Sequence, residues 1–188
     1  GVVCGGVVVA LLLQASADRV AESRLWRGRP DESDTPLGQM SRLAKDYARG
    51  RSIFVFSAAV VDAFPLVTYS GVGWASRQPC LGLLTGLYSA SSDRNTGLAY
   101  HRGAAMSPTE RFLLDLVVSD LLRDRPALLF VDESPHKPAF HGQHFDYLEY
   151  FAGDPRFAAF LRLYEPLTKV DKFGVYRRKA GPAGQPGA

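Results

Sequence analysis

Three histidines, His136, His141 and His144, share one short stretch with Asp132, Glu133 and Asp146. Imidazoles with a carboxylate are a sufficient ligand set for a divalent transition metal. The spacing, however, follows neither the H-E-x-x-H helix nor a zinc-finger pattern, and Pro135 and Pro138 make the stretch a loop. Prolines in a loop supply no fixed ligand geometry or supporting shell, so the histidines are read as solvated and no metal or other cofactor is expected. Asp132 and Glu133 follow the apolar run 127–131. Folds of the α/β type place their sites at such strand ends, and two carboxylates whose environments separate their pKa values serve as acid and base. The plainer reading is a strand end reaching water. Gly71-Val72-Gly73-Trp74-Ala75-Ser76 imitates the opening of a dinucleotide fingerprint, but Trp74 crowds the approach of a pyrophosphate and Arg77-Gln78-Pro79 makes a poor helix. There is no G-x-S-x-G elbow and no P-loop. Cys4 and Cys80 form no C-x-x-C pair, which excludes a zinc ribbon or a thioredoxin-like centre.

These residues must be positioned by ordered elements. A chain of 188 residues fits one domain, and a hydrophobic content of 46% supplies a core, which excludes global disorder. The net charge is +3 with signs alternating along the chain, without the basic, aromatic-interleaved stripe of a nucleic-acid binder. No nucleic-acid partner is expected. The dense run Arg177-Arg178-Lys179 is read as a solubilising strand end in preference to a phosphate-binding patch.

Thr35 followed by Pro36 caps a helix in which Leu37, Met40, Leu43, Ala44 and Tyr47 recur at helical spacing, with Gly50 just past its end. Ile53-Phe54-Val55-Phe56 is short, continuous and β-prone, the signature of a strand covered on both faces. Residues 62–106 keep no period. Ser107-Pro108-Thr109-Glu110 is a capping box opening a helix that runs to about Arg123. The run 127–131 is a second buried strand. A helical patch surrounds Phe145, Leu148 and Phe151, and Asp154-Pro155 starts another helix. Residues 167–170 and 173–177 flank Asp171-Lys172 as a hairpin. This order predicts an α/β fold: a three-layer sandwich with a mostly parallel sheet and a C-terminal β-hairpin edge. The strands 53–56 and 127–131 should be parallel neighbours at its centre.

Residues 1–13 are all apolar or glycine. A helix rising about 1.5 Å per residue needs more than this to cross a core of about 30 Å. The run reads as the end of a truncated transmembrane helix. Residues 14–34 then form an amphipathic connector, 35–179 the α/β domain and 180–188 a disordered tail.

Several phrases occur together: Ile53-Phe54-Val55-Phe56-Ser57, then Ala63-Phe64-Pro65-Leu66-Val67-Thr68-Tyr69-Ser70-Gly71, Trp74-Ala75-Ser76-Arg77, Pro79-Cys80-Leu81, Phe145-Asp146-Tyr147-Leu148, Asp154-Pro155-Arg156-Phe157-Ala158 and Tyr176-Arg177-Arg178. In this combination the chain resembles the C-terminal soluble region of bacterial multi-spanning proteins related to the polyprenyl-phosphate-sugar-dependent glycosyltransferases, enzymes similar to protein mannosyltransferases and aminoarabinose transferases. The resemblance spans most of residues 51–178. It implies an accessory domain on the periplasmic side of the inner membrane, packed on its own upstream transmembrane portion near a polyprenyl-phosphate-linked sugar and the membrane surface. In that superfamily the catalytic carboxylates lie in an early loop that nothing here matches, so no catalytic residue carries over. Arg19, Arg24, Arg27 and Arg29 pull the other way, because positive charge beside a spanning helix favours the cytoplasm. Two alternatives stand beside this reading: a non-catalytic interaction domain of a membrane protein, and a soluble nucleotide- or methyl-transfer enzyme. The aromatic and apolar residues of 62–90 point to the membrane contact, with Trp74, Arg77, Leu83, Leu84 and Leu87 touching lipid. The competing expectation is that this segment folds inward and completes the core.

Overall fold

Thr35 stands in extended conformation and its side chain accepts the Gly38 N–H at 3.1 Å, which starts helix α1, Pro36–Tyr47. Pro36 suits the first helical position because its missing N–H has no partner there anyway. The computed structural model describes residues 34–88 and 98–180. The expected apolar start at 1–13, most of the 14–34 connector and all but the first residue of the tail lie outside those residues. Among the described residues no helix is long and apolar enough to cross a membrane.

Strand β1, Ser52–Phe56, leads into α2, Val60–Ser70, and then into the short strand β2, Gly73–Trp74. Helix α3, Leu83–Tyr88, and the long α4, Pro108–Asp124, precede strand β3, Leu128–Asp132. Helices α5, Tyr147–Ala152, and α6, Pro155–Leu161, come next. Strands β4, Tyr164–Val170, and β5, Phe173–Arg178, close the domain as a hairpin. The five strands form one mixed sheet in the order β2-β1-β3-β5-β4. β1 is parallel to β2 and β3, whereas β5 is antiparallel to both β3 and β4. The fold is the three-layer α/β sandwich that the element order predicts. Its two parallel pairs, β2–β1 and β1–β3, are followed by two antiparallel pairs, β3–β5 and β5–β4, so the sheet is mixed with its parallel part in the first strands, and β1 and β3 are the expected parallel neighbours.

Side chains alternate across each strand and therefore fill two cores. Phe54, Phe56, Leu129 and Val131 face α3 to α6, while Ile53, Val55, Leu128 and Phe130 face α1 and α2. Each such side chain is buried, and full burial contributes about 1.5–3 kcal/mol. This explains why the two strands read as unbroken apolar runs.

The segment without a period contains a helix that the sequence pattern hid. Pro65 lies inside α2, and the helix ends on Gly71 at φ 69°, a left-handed cap that glycine adopts without steric cost. Pro65 is the sixth of its eleven residues, so the helix goes without the hydrogen bond that position 65 would donate to the Val61 carbonyl. Leu66, Leu81, Leu84 and Tyr88 are fully buried, so much of 62–90 lies in the core. The capping box is half formed. Ser107 accepts the Glu110 N–H at 3.1 Å, but the Glu110 carboxylate turns inward. There it takes the Tyr88 hydroxyl at 2.7 Å, the Tyr150 hydroxyl at 3.2 Å and the His101 Nδ1 at 2.8 Å.

Candidate functional site at the carboxyl ends of β1 and β3

The chain leaves β1 toward β2 on one side and leaves β3 toward the hairpin on the other. Two neighbouring parallel strands whose connections diverge leave a crevice at their carboxyl ends, the place where open α/β sheets bind ligands. Ser57 follows β1 and Asp132 ends β3, so both stand at this crevice. Ser57 Oγ donates to Asp62 Oδ2 at 2.5 Å and accepts the Ala59 N–H at 3.1 Å. Asp132 Oδ1 accepts the backbone N–H of Ser134 at 2.9 Å and its hydroxyl at 2.5 Å.

Two lysines meet these carboxylates. Lys172 lies in the turn of the β4–β5 hairpin. Its Nζ is 3.1 Å from Asp62 Oδ2 and 3.6 Å from Asp132 Oδ2, so it bridges the two lips. Lys137 is only 3% exposed. Its Nζ donates to the Ser134 carbonyl at 2.6 Å, is 4.0 Å from Asp132 Oδ1 and lies 5.5 Å over the Tyr147 ring. Burial pulls the Lys137 ammonium below the ordinary lysine range, and Asp132 opposes that pull. Burial likewise raises the Tyr147 phenol, and burial with the Glu133 hydrogen bond pushes Tyr176 up to about 12. A cavity of about 240 Å³ opens beside the cluster, lined by residues that include Asp132, Lys137, His144, Phe145, Asp146 and Tyr176.

The hairpin turn places Lys172. Asp171 takes φ 51°, a left-handed conformation that aspartate tolerates better than most residues. Gly174 leaves room for the Glu133 side chain, which a Cβ at that position would strike. Asp132 and Glu133, the carboxylate pair visible in the sequence, engage different partners. Asp132 binds Ser134 and the lysines, whereas Glu133 meets Lys169 at 3.2 Å and the Tyr176 hydroxyl at 3.1 Å. No motif in the sequence singles out Ser57, Asp62, Lys137, Tyr147 or Lys172 as site residues. The one signal for Lys172 is the hairpin itself, whose turn must fall at the end of the strand it pairs with.

His136, His141 and His144 are all exposed. His136 Nδ1 lies 3.1 Å from the Gly142 carbonyl, and His141 occupies a left-handed turn at φ 55°. Among the described residues no group of three or more His, Cys, Asp or Glu is placed to hold a metal ion. The glycines of the apparent dinucleotide fingerprint serve other ends: Gly71 caps α2 and Gly73 opens β2. The strand–turn–helix context of that motif is missing.

The five residues assigned to lipid are spread over different environments. Trp74 stacks on Phe54 with centroids 5.1 Å apart and donates its Nε1–H to the Gln78 carbonyl at 2.9 Å. Arg77 is exposed, but its Nε and backbone N–H each donate to the buried Asp120 at 2.8 Å. Leu84 is fully buried, Leu87 is half-buried and Leu83 is 60% exposed.

A three-layer α/β domain with a charged, hydrogen-bonded crevice at its topological switch point is therefore the class that fold and site define. No family model, curated protein or solved structure matches the chain.

Proposed function

We propose that this chain is the accessory extracytoplasmic domain of a bacterial inner-membrane glycosyltransferase that takes a sugar from a polyprenyl-phosphate donor. In this reading the domain lies on the periplasmic side, next to its own transmembrane portion, and the crevice holds a hydroxyl-rich part of the acceptor. One observation carries the second half: carboxylates and ammonium groups are fixed side by side at the switch point. A sugar hydroxyl both donates and accepts, and such an array satisfies both demands within one cavity. The half-buried Tyr176 supplies apolar surface at the same place. Asp62 lies in the first turn of α2. Its negative charge occupies the position where a nucleotide phosphate would meet the helix, which favours an uncharged, hydroxylated ligand over the nucleotide-transfer alternative. The membrane half rests on the family resemblance, whose phrases coincide with β1, α2, β2, α5, α6 and β5.

Saturation-transfer NMR with a panel of pyranosides tests the crevice. Transfer to at least one sugar is expected, and Asp132→Asn should weaken it about tenfold, since a charge-assisted hydrogen bond contributes about 1.5–3 kcal/mol. Transfer to no sugar, or transfer indifferent to Asp132→Asn, rules the crevice out. The complete reading frame tests the membrane half: spanning helices with an acidic loop ahead of Gly1 are expected, and their absence removes it.

A further inference from the structure

The opposite end of the sheet carries a different chemistry. Arg49 and Arg51 precede β1, Arg125 precedes β3, Arg162 precedes β4, Arg178 closes β5 and Lys179 follows it. Because β4 starts where β5 ends, and β5 ends beside the start of β3, all six lie at the amino ends of the parallel strands. Arg178 is half-buried and the other five are exposed. Two of the nearby carboxylates are already engaged: Glu165 holds Arg177 at 2.7 Å, and Asp124 holds Arg123 at 2.8 Å. Among the described residues no carboxylate pairs with Arg51 or Arg178. A cavity of about 630 Å³ opens between them, with Tyr47, Lys179 and the paired Glu165 and Arg177 also on its wall. Two of the few exposed large hydrophobic side chains lie at this end as well, Tyr47 at 42% and Leu163 at 47%.

We propose that this amino end docks on an anionic phospholipid surface, with the cavity between Arg51 and Arg178 receiving a headgroup phosphate. Arg51 and Arg178 lack carboxylates of the kind that hold Arg77, Arg123, Arg156 and Arg177, so an anionic layer is their natural counter-charge. Guanidinium groups take phosphate oxygens in a fork geometry. Tyr47 and Leu163 provide the amphipathic and apolar contacts that favour the lipid–water boundary over a nucleic acid. A single-stranded nucleic acid would call for an aromatic platform on which bases stack, and among the described residues Tyr47 is the one aromatic on the cavity wall. Lipid docking at this end does not depend on the glycosyltransferase reading, and its readout is independent of sugar binding.

Co-sedimentation of the whole chain with vesicles tests it. One set contains phosphatidylglycerol in phosphatidylcholine, the other phosphatidylcholine alone. Binding should be at least tenfold stronger on the anionic set and should fall as salt screens it. Arg51→Gln and Arg178→Gln should each weaken binding about fivefold, the fold-change equivalent to about 1 kcal/mol per cation at such a surface. Arg111→Gln, at an exposed arginine in α4 away from this end, should leave binding unchanged. Circular dichroism confirms that each variant is folded. Equal binding to both vesicle types, indifferent to Arg51 and Arg178, would place the contact in apolar residues such as 1–13 and overturn the proposal. Loss of binding on Leu83→Ser but not on the arginine changes would place it on the 62–90 segment and overturn the proposal equally. Binding to single-stranded DNA as tight as to anionic vesicles would also overturn it.

Discussion

Leu83 and Leu84 are adjacent on α3, yet one is 60% exposed and the other fully buried beside α4. Replacing Leu84 by alanine should cost about 2–5 kcal/mol through lost transfer energy and a residual cavity. Leu83→Ala should stay within about 0.5 kcal/mol of the parent. Urea titration of the two variants measures both, and equal losses would mean that α3 is rotated from the described orientation. Lys137 presents a different residue-scale question, because its charge is nearly enclosed. It faces Asp132, Asp146 and Glu133 as attractive charges and Lys172 as a repulsive one. Its folded-state pKa is depressed, so the unfolded chain binds the proton more readily. Stability therefore rises with pH between the depressed value and the ordinary lysine value, and this contribution is absent below that window. Relative to Lys137→Met, the parent should gain stability as pH increases toward that ordinary value. A constant difference between the two proteins across the alkaline range would show that the ammonium carries no burial penalty.

At the scale of elements, caps illustrate how local chemistry fixes boundaries. Asp154 accepts the Arg156 backbone N–H at 2.8 Å at the start of α6, and the Arg156 guanidinium closes on the same carboxylate. That guanidinium holds the Asp154 carboxyl below its ordinary range, partly offset by burial. The stability it confers is present above the ordinary aspartate pKa and is lost as pH falls through the depressed value. Asp154→Ala should cost about 0.5–2 kcal/mol at neutral pH, and the difference should shrink on acidification. Thermal melts at neutral and at acidic pH decide this, and an unchanged difference would exclude the carboxylate as its source. Elements of this kind are legible in the sequence. Thr35, Ser107 and Asp154 announce helix starts, and the runs at 53–56 and 127–131 announce buried strands, because capping and burial are local or strongly periodic. Helix α2 is not legible: Pro65 and the aromatic residues around it erase the helical signature, and the packing of Ala63 and Leu66 into the core that supports it is a tertiary contact. The crevice is half legible. Asp132 stands out as a strand end, but Lys172 and Asp62 are separated by 110 positions and meet only through the sheet order.

For the whole molecule, the sheet separates two cores and also two kinds of surface, the lysine–carboxylate crevice at one end and the arginine cluster at the other. Both cores are built from described residues between Asp34 and Ala180. A fragment comprising 34–180 carries both of these cores and should unfold in one cooperative transition. A collapsed but non-cooperative fragment would show that residues before Asp34 complete the core. The bridge made by Lys172 has a further consequence. The hairpin supplies the edge of the sheet, and β4, with several exposed residues, should be among the first strands to open. Yet Lys172 spans to Asp62 and Asp132, so the hairpin turn is tethered to groups on two other elements. A ligand in the crevice that requires this tether must then make hairpin opening rarer, by mass action on the closed state. Amide hydrogens of β4 and β5 should exchange with deuterium more slowly when the crevice is filled, although the strands themselves touch no ligand, and Lys172→Met should uncouple the two. Isotope exchange at the edge strand thus becomes a remote reporter of occupancy at the crevice.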